Sequence, residues 1–233
     1  MTEKYLNNRF LILYLIPFII GLLTVFSFQP FNFTFINFLI LPIFFYLTVY
    51  IKKKSKSTFR KKPYKKNLFT FGTLFGFGFY LSGVSWIINS LTFDENFKIL
   101  IPFALIFIPM FLSLFLGCTI LFIGPYLSYN FSSILIFSAA MSVSDFLRAK
   151  IFTGFPWNLW AYSLSWSIET LQILYLIGLF AFNLLTITIF SLPSVLFFSI
   201  EIRKKILILV CFLTAVLALY IFGSYELNKN KDY

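Results

Sequence analysis

The sequence has no histidine, only two cysteines and only eight acidic side chains in 233 residues. Without histidine, and with Cys118 and Cys211 far apart inside apolar runs, the usual zinc ligand sets cannot be assembled and no disulfide framework is implied. Each cysteine reads as a small buried hydrophobe. The serines at Ser138, Ser142 and Ser144 have no histidine or neighbouring lysine to act as base, so a serine nucleophile is unsupported. No phosphate-binding loop, dinucleotide fingerprint or metal cluster is present, so neither a metal nor a cofactor is expected. Internal repeats, low-complexity tracts and a soluble domain are also missing from the expected organisation. Charged residues make up 12%, where soluble domains carry about 25%.

What is present is apolar. Hydrophobic residues make up 60% of the chain and mean hydropathy is +0.90. No soluble core could absorb that much apolar surface, which predicts an all-α, polytopic transmembrane helix bundle of about seven spans. The spans are expected near 10–28, 33–51, 68–91, 99–123, 131–149, 171–200 and 206–222, followed by a polar tail over 224–233. The first run, Phe10–Phe28, is 19 residues long, about 28 Å as a helix and enough to cross. It is long for a signal-peptide core and no small-residue cleavage site follows it. Instead Gln29-Pro30 turns the chain into the second run. Pro102 and Pro109 are expected to bend the fourth span, and Gly72 and Gly76 form a small-xxx-small pair for close helix approach.

The net charge of +11 does not point to nucleic acid. Nine of the 19 basic residues fall within Lys52–Lys66, between two apolar runs, as expected of a cytoplasmic loop facing anionic lipid. With the N-terminus in the cytoplasm, seven crossings put 14 basic residues inside and five outside. The tail and the segment after the fifth span are then extracytoplasmic.

That segment is the least ordinary part of the chain. Asp145 and Arg148 are three apart, next to an apolar run; Gly154 and Pro156 break the helical pattern; Trp157, Trp160, Tyr162 and Trp166 follow within ten residues. Aromatic residues with one polar atom favour the membrane–water boundary, so an ordinary aromatic belt is one reading. The other is a shaped interfacial loop that binds lipid or a docked domain through Arg148, Gly154, Pro156, Trp157, Trp160 and Tyr162. At i,i+3 the two charges can pair on one helix face, which allows either mutual neutralisation or a phosphate site at Arg148. Glu169 could join them from across the loop. Gln172 and Asn183 read as interhelical hydrogen-bonders.

Several stretches carry a family resemblance. Phe146-Leu147-Arg148, then Phe152-Thr153-Gly154-Phe155-Pro156-Trp157 and Tyr162-Ser163, resemble the membrane domain of bacterial apolipoprotein N-acyltransferases. So do the turn Phe28-Gln29-Pro30-Phe31, the run Gly76–Ile87 and the stretch Gly178–Leu184. The resemblance covers most of the chain in order, and its Thr-Gly-Phe-Pro-Trp run is the most specific part. It implies a multi-pass protein of the bacterial inner (cytoplasmic) membrane. It also implies an acyltransferase of lipoprotein biosynthesis that moves an acyl chain from a phospholipid to the N-terminal diacylglyceryl-cysteine of a lipoprotein. Membrane phospholipid and diacylglyceryl-lipoprotein are the implied partners. In that family a Glu-Lys-Cys set in a nitrilase-like domain follows the seventh helix. The present chain is expected to lack that domain, so no catalytic residue is carried over, and a separate nitrilase-like domain is a further possible partner. A small multi-pass transporter and a non-catalytic membrane scaffold are the alternatives.

Overall fold

The computed structural model describes residues 9–55, 63–151 and 154–229. The centre of the basic loop, Phe152 and Thr153 of the aromatic loop, and residues 230–233 of the expected tail lie outside the described residues. Every regular element among the described residues is helical. Helix α1 (Leu11–Ser27) starts with a π turn and ends in a 3-10 turn. Helix α2 covers Thr34–Lys54. Helix α3 (Pro63–Gly83) leads, through a 44° bend, into the 3-10 segment Ser85–Thr92. Helices α4 (Ile101–Ile123) and α5 (Phe131–Lys150) are joined by a short turn. The short α6 (Ile168–Leu171) precedes α7 (Leu174–Ser191), which runs on as a 3-10 segment to Phe197, and α8 covers Ile202–Lys229. Five of the helices are long and apolar enough to cross a membrane, bent α3 makes a sixth, and α1 is a shorter apolar helix. The chain is therefore a polytopic membrane protein with a span count close to the seven expected.

Local chemistry sets several boundaries. Asn130 caps α5, its side chain accepting from the Ser133 amide at 2.8 Å, and Ser167 caps α6 through the Thr170 amide at 3.4 Å. Lys52, Lys53 and Lys54 occupy the last turn of α2, where positive charge complements the helix dipole.

Glycine rows bring the central helices together. A Cβ at Gly72 of α3 would lie 2.9 Å from the Ile120 Cβ of α4, and one at Gly117 of α4 would lie 2.1 Å from Thr73 Oγ1. On the opposite side of α3, a Cβ at Gly78 would lie 2.3 Å from the Phe18 carbonyl oxygen, and one at Gly21 would lie 2.2 Å from that of Phe75. Helices α1, α3 and α4 thus approach at backbone distance, the contact small residues permit when lipid supplies no hydrophobic drive. Phenylalanine fills the centre: Phe44 of α2 stacks on Phe75 at 3.9 Å and meets the Phe137 edge at 5.8 Å. Outward-facing positions are also apolar, including Phe103, Phe107 and Phe111 on α4 and Leu207 and Leu213 on α8, as a bilayer-embedded bundle requires.

Three expectations are corrected and one is refined. Helix α8 continues to Lys229, so 224–229 is helical. The span expected over 171–200 is present as Leu174–Phe197 but is kinked near its start at Gly178, whose φ of 75° and ψ of 168° are open almost only to glycine. The apolar run hides this break because hydropathy does not register backbone angle. Pro102 sits in the first turn of α4, where it is tolerated; only Pro109 lies within that helix. Cys118 and Cys211 are exposed on the outside of apolar helices, not buried.

Candidate functional site

The segment after α5 folds back on the end of that helix. The Phe155 amide donates to the Arg148 carbonyl at 3.0 Å and the Gly154 amide to the Ile151 carbonyl at 3.1 Å. Gly154 takes φ 76°, and a Cβ there would meet the Ala149 carbonyl oxygen at 2.5 Å. Both the turn and the close approach require glycine. Pro156 then keeps Phe155 from returning to helix.

Arg148 is the clamp. It is 2% exposed. Its Nη2 pairs with Asp145 Oδ1 at 3.1 Å, one turn back on α5. Its Nη1 donates to the Phe155 carbonyl at 2.5 Å and to the Trp157 carbonyl at 2.7 Å. The guanidinium lies over the Tyr80 ring of α3, 5.2 Å from its centroid. The second Asp145 oxygen accepts from Asn183 Nδ2 of α7 at 2.8 Å, and Asn183 Oδ1 accepts the Ala161 amide at 3.0 Å. A charge at membrane depth needs a partner, and here the partners are the other charge, a side-chain amide and the loop backbone. Among the described residues only Arg148 Nε lacks an acceptor within this group. Glu169 does not join it. Its carboxylate accepts from Ser167 Oγ at 3.1 Å on α6.

Further along, the loop is fastened to α2 and α3. Trp160 is 1% exposed and stacks on Phe79 with centroids 5.1 Å apart; it is a core residue, which corrects its expected place at the interface. Ser163 Oγ accepts from Asn37 Nδ2 at 3.2 Å, the Ser163 carbonyl accepts from Thr34 Oγ1 at 2.6 Å, and Thr34 Oγ1 in turn accepts from Trp166 Nε1 at 2.7 Å. Asn158, at φ 54°, lies so close over the end of α3 that a Cβ at Gly83 would be 1.6 Å from its Nδ2.

The loop leaves a pocket of about 410 Å³ against the turn after α1. Phe28, Gln29, Trp86, Trp157, Asn158 and Tyr162 contribute to its wall. Trp157 is 49% exposed and packs edge-on against Trp86 at 5.1 Å. Tyr162 is half-buried, and desolvation raises its phenol above the ordinary range, with the nearby Arg148 charge opposing. The six expected residues therefore divide. Arg148, Gly154 and Pro156 form the support, Trp157 and Tyr162 line the pocket, and Trp160 anchors the loop in the core.

Sequence reasoning placed Asn183 between helices, and it is there. Gln172, given the same reading, donates to the Ile168 carbonyl within its own segment at 3.1 Å. Tyr80, Asn37 and Thr34 were missed. The only signal for them is a polar atom inside an apolar run.

Known proteins match this chain over the same helices and loop. Residues 20–192 match the family described as apolipoprotein N-acyltransferase N-terminal domain. Among curated relatives, the apolipoprotein N-acyltransferase of Rhodopseudomonas palustris is 36% identical over 54% of this chain and 24% of its own length. That of Bradyrhizobium diazoefficiens is 29% identical over 76% of this chain and 32% of its own, and that of Sinorhizobium medicae 27% identical over 92% and 40%. The chain thus spans between about a quarter and two fifths of the length of these relatives. With a match reaching from α1 across the clamped loop to the end of α7, the chain belongs to the apolipoprotein N-acyltransferase family, to the part that forms its N-terminal domain.

Proposed function

We propose that this chain serves as the membrane part of an apolipoprotein N-acyltransferase, the enzyme class that transfers an acyl chain from a phospholipid to the N-terminal diacylglyceryl-cysteine of lipoproteins. The observation that carries the reading is the Arg148 clamp. A buried ion pair is costly to place in a membrane, and here it fixes the backbone on either side of Pro156, beneath a tryptophan-walled pocket. Rigid support of that kind suits a loop that presents lipid or seats another domain better than a belt of anchoring rings.

In this reading the protein resides in the bacterial inner membrane with its N-terminus in the cytoplasm, as the 14-to-5 distribution of basic residues favours. The clamped loop faces outward, and the pocket at Trp86, Trp157 and Tyr162 contacts phospholipid, lipoprotein or a nitrilase-like catalytic domain. The chemistry is supplied by that domain. The transporter and scaffold alternatives draw no support from the family match.

The test is a chimera. This chain replaces the membrane part of a host apolipoprotein N-acyltransferase in a strain depleted of its own enzyme, and lipoprotein N-termini are read by mass spectrometry. N-acylated lipoprotein supports the reading. Its absence, with the chimera at normal membrane levels, opposes it.

A further inference from the structure

Among the described residues, two that are not glycine take a left-handed backbone: Asn32, at φ 58°, and Asn158, at φ 54°. They are far apart in the sequence and meet at one place, the loop pocket. Asn158 stands in its wall. Asn32, in the turn after α1, donates from Nδ2 to Gln29 Oε1 at 3.1 Å, and Gln29 stands in the same wall. Asparagine adopts this conformation more readily than most side chains, yet it remains a minority state, and such backbones gather at ligand clamps. Here each of the two fixes one side-chain amide at the pocket.

The polar atoms of this wall are left open. In the cavity between α4 and α5, Thr119 turns its hydroxyl back to the Phe115 carbonyl at 2.8 Å. In the cavity between α2, α7 and α8, Thr186 does the same to Phe182 at 2.9 Å. In the loop pocket, Gln29 Nε2, the indole N–H groups of Trp86 and Trp157, the Asn158 amide and the Tyr162 hydroxyl make no hydrogen bond among the described residues. The wall carries no charged side chain. The Nη atoms of Arg148 beneath it are committed to Asp145, Phe155 and Trp157. A phosphate or a carboxylate would therefore sit here without a cation.

The complementary group is neutral, and the two amides define it. Gln29, its Oε1 held by Asn32, presents Nε2–H. A Cβ at Gly83 would lie 1.6 Å from Asn158 Nδ2 but 3.4 Å from its Oδ1, so Asn158 turns its nitrogen to α3 and keeps its oxygen as the open acceptor. The pocket thus offers a donor and an acceptor. An ester carries acceptors alone and would leave Asn158 Oδ1 unmatched. A peptide unit carries one acceptor and one donor and matches both. Its flat plane can lie against the rings of Trp86 and Trp157, which meet edge-on at 5.1 Å.

We propose that the loop pocket is a peptide site with Gln29 and Asn158 as its specificity-determining residues: Gln29 Nε2 donates to a backbone carbonyl, and Asn158 Oδ1 accepts the N–H of the adjoining peptide unit. The occupant is the segment that follows the lipidated cysteine of a lipoprotein. That source rests on the acyltransferase reading; the recognition of a peptide backbone does not.

The test uses the full chain in phosphatidylcholine nanodiscs. Energy transfer from tryptophan reports binding of S-diacylglyceryl-cysteinyl-seryl-serine amide labelled with dansyl at its C-terminal end. Methylating both peptide nitrogens of the probe should weaken binding about tenfold or more, because a site built to pair an N–H rejects the analogue that lacks it. Replacing both serines of the probe by alanine should leave binding unchanged. Asn158→Gly keeps the left-handed backbone and should bind the parent and methylated probes equally weakly. Gln29→Met should weaken both probes about tenfold and keep the discrimination between them, since it removes only the carbonyl's donor. Equal binding of the two probes by the unsubstituted chain, undiminished discrimination in Asn158→Gly, or equal transfer to a dansyl diacylglycerol without peptide would each overturn the proposal. A chimera that fails to acylate while this discrimination holds would fault the acyl-transfer reading alone. An acylating chimera without the discrimination would fault the peptide site alone.

Discussion

Asn183 holds two partners with one side chain: Nδ2 donates to Asp145 Oδ2 at 2.8 Å, and Oδ1 accepts the Ala161 amide at 3.0 Å. It therefore joins the buried charge on α5 to the backbone of the loop. Asn183→Leu should leave a carboxylate oxygen and a backbone N–H without partners and cost about 1–3 kcal/mol. Asn183→Asp should be worse, since it sets a second carboxylate against Asp145. Reversible unfolding in mixed detergent micelles measures both, and equal stability of all three proteins would remove Asn183 from the support.

Arg148 and Asp145 should behave as one unit. Arg148→Gln leaves Asp145 buried beside no cation, and breaking such a pair costs about 3–5 kcal/mol. Adding Asp145→Asn should recover part of that loss, because the remaining groups are neutral and the Asn183 contact is kept. A double-mutant cycle checks this; strictly additive losses would contradict the pairing.

The tryptophans of the loop should separate sharply. Trp160→Ala empties a buried site against Phe79 and should cost about 3–5 kcal/mol. Trp157→Ala, at a half-exposed ring, should cost about 1 kcal/mol or less. Thermal unfolding of the two variants in the same detergent distinguishes them, and a larger loss for Trp157 would mean the loop is anchored from its other end.

Much of this was readable from local spacing. Asp145 and Arg148 at i,i+3 could be paired on one helix face, and Gly72 and Gly76 at i,i+4 announced the α3–α4 contact because helix geometry alone decides which residues share a face. What depends on another element was not readable. Trp157 and Trp160 look alike in sequence, yet one walls a pocket and the other stacks on Phe79, since their depth is set by α3. The carboxylate of Glu169 could not be kept from Arg148 on sequence grounds; the cap at Ser167 claims it. Cysteine in an apolar run reads as buried, and Cys118 and Cys211 are exposed because in a bilayer the outer face is apolar too.

The distribution of basic residues makes the N-inside orientation a prediction. Reporters active only outside the cytoplasm should function when fused after Lys229 and fail when fused within Lys52–Lys66. The fusion point lies beyond Lys229 because α8 continues that far. The reverse pattern would overturn the N-inside topology.

The claim that the clamped loop serves acyl transfer is tested most directly in the chimera. Trp157→Phe and Arg148→Gln are introduced separately, membrane levels are matched, and the fraction of N-acylated lipoprotein is measured by mass spectrometry. If the loop must present its pocket at a set position, both variants should lose about tenfold or more of the acylation rate, as small misplacements of a positioning element do. Full acylation in both variants would reduce the loop to an ordinary aromatic anchor and contradict the account.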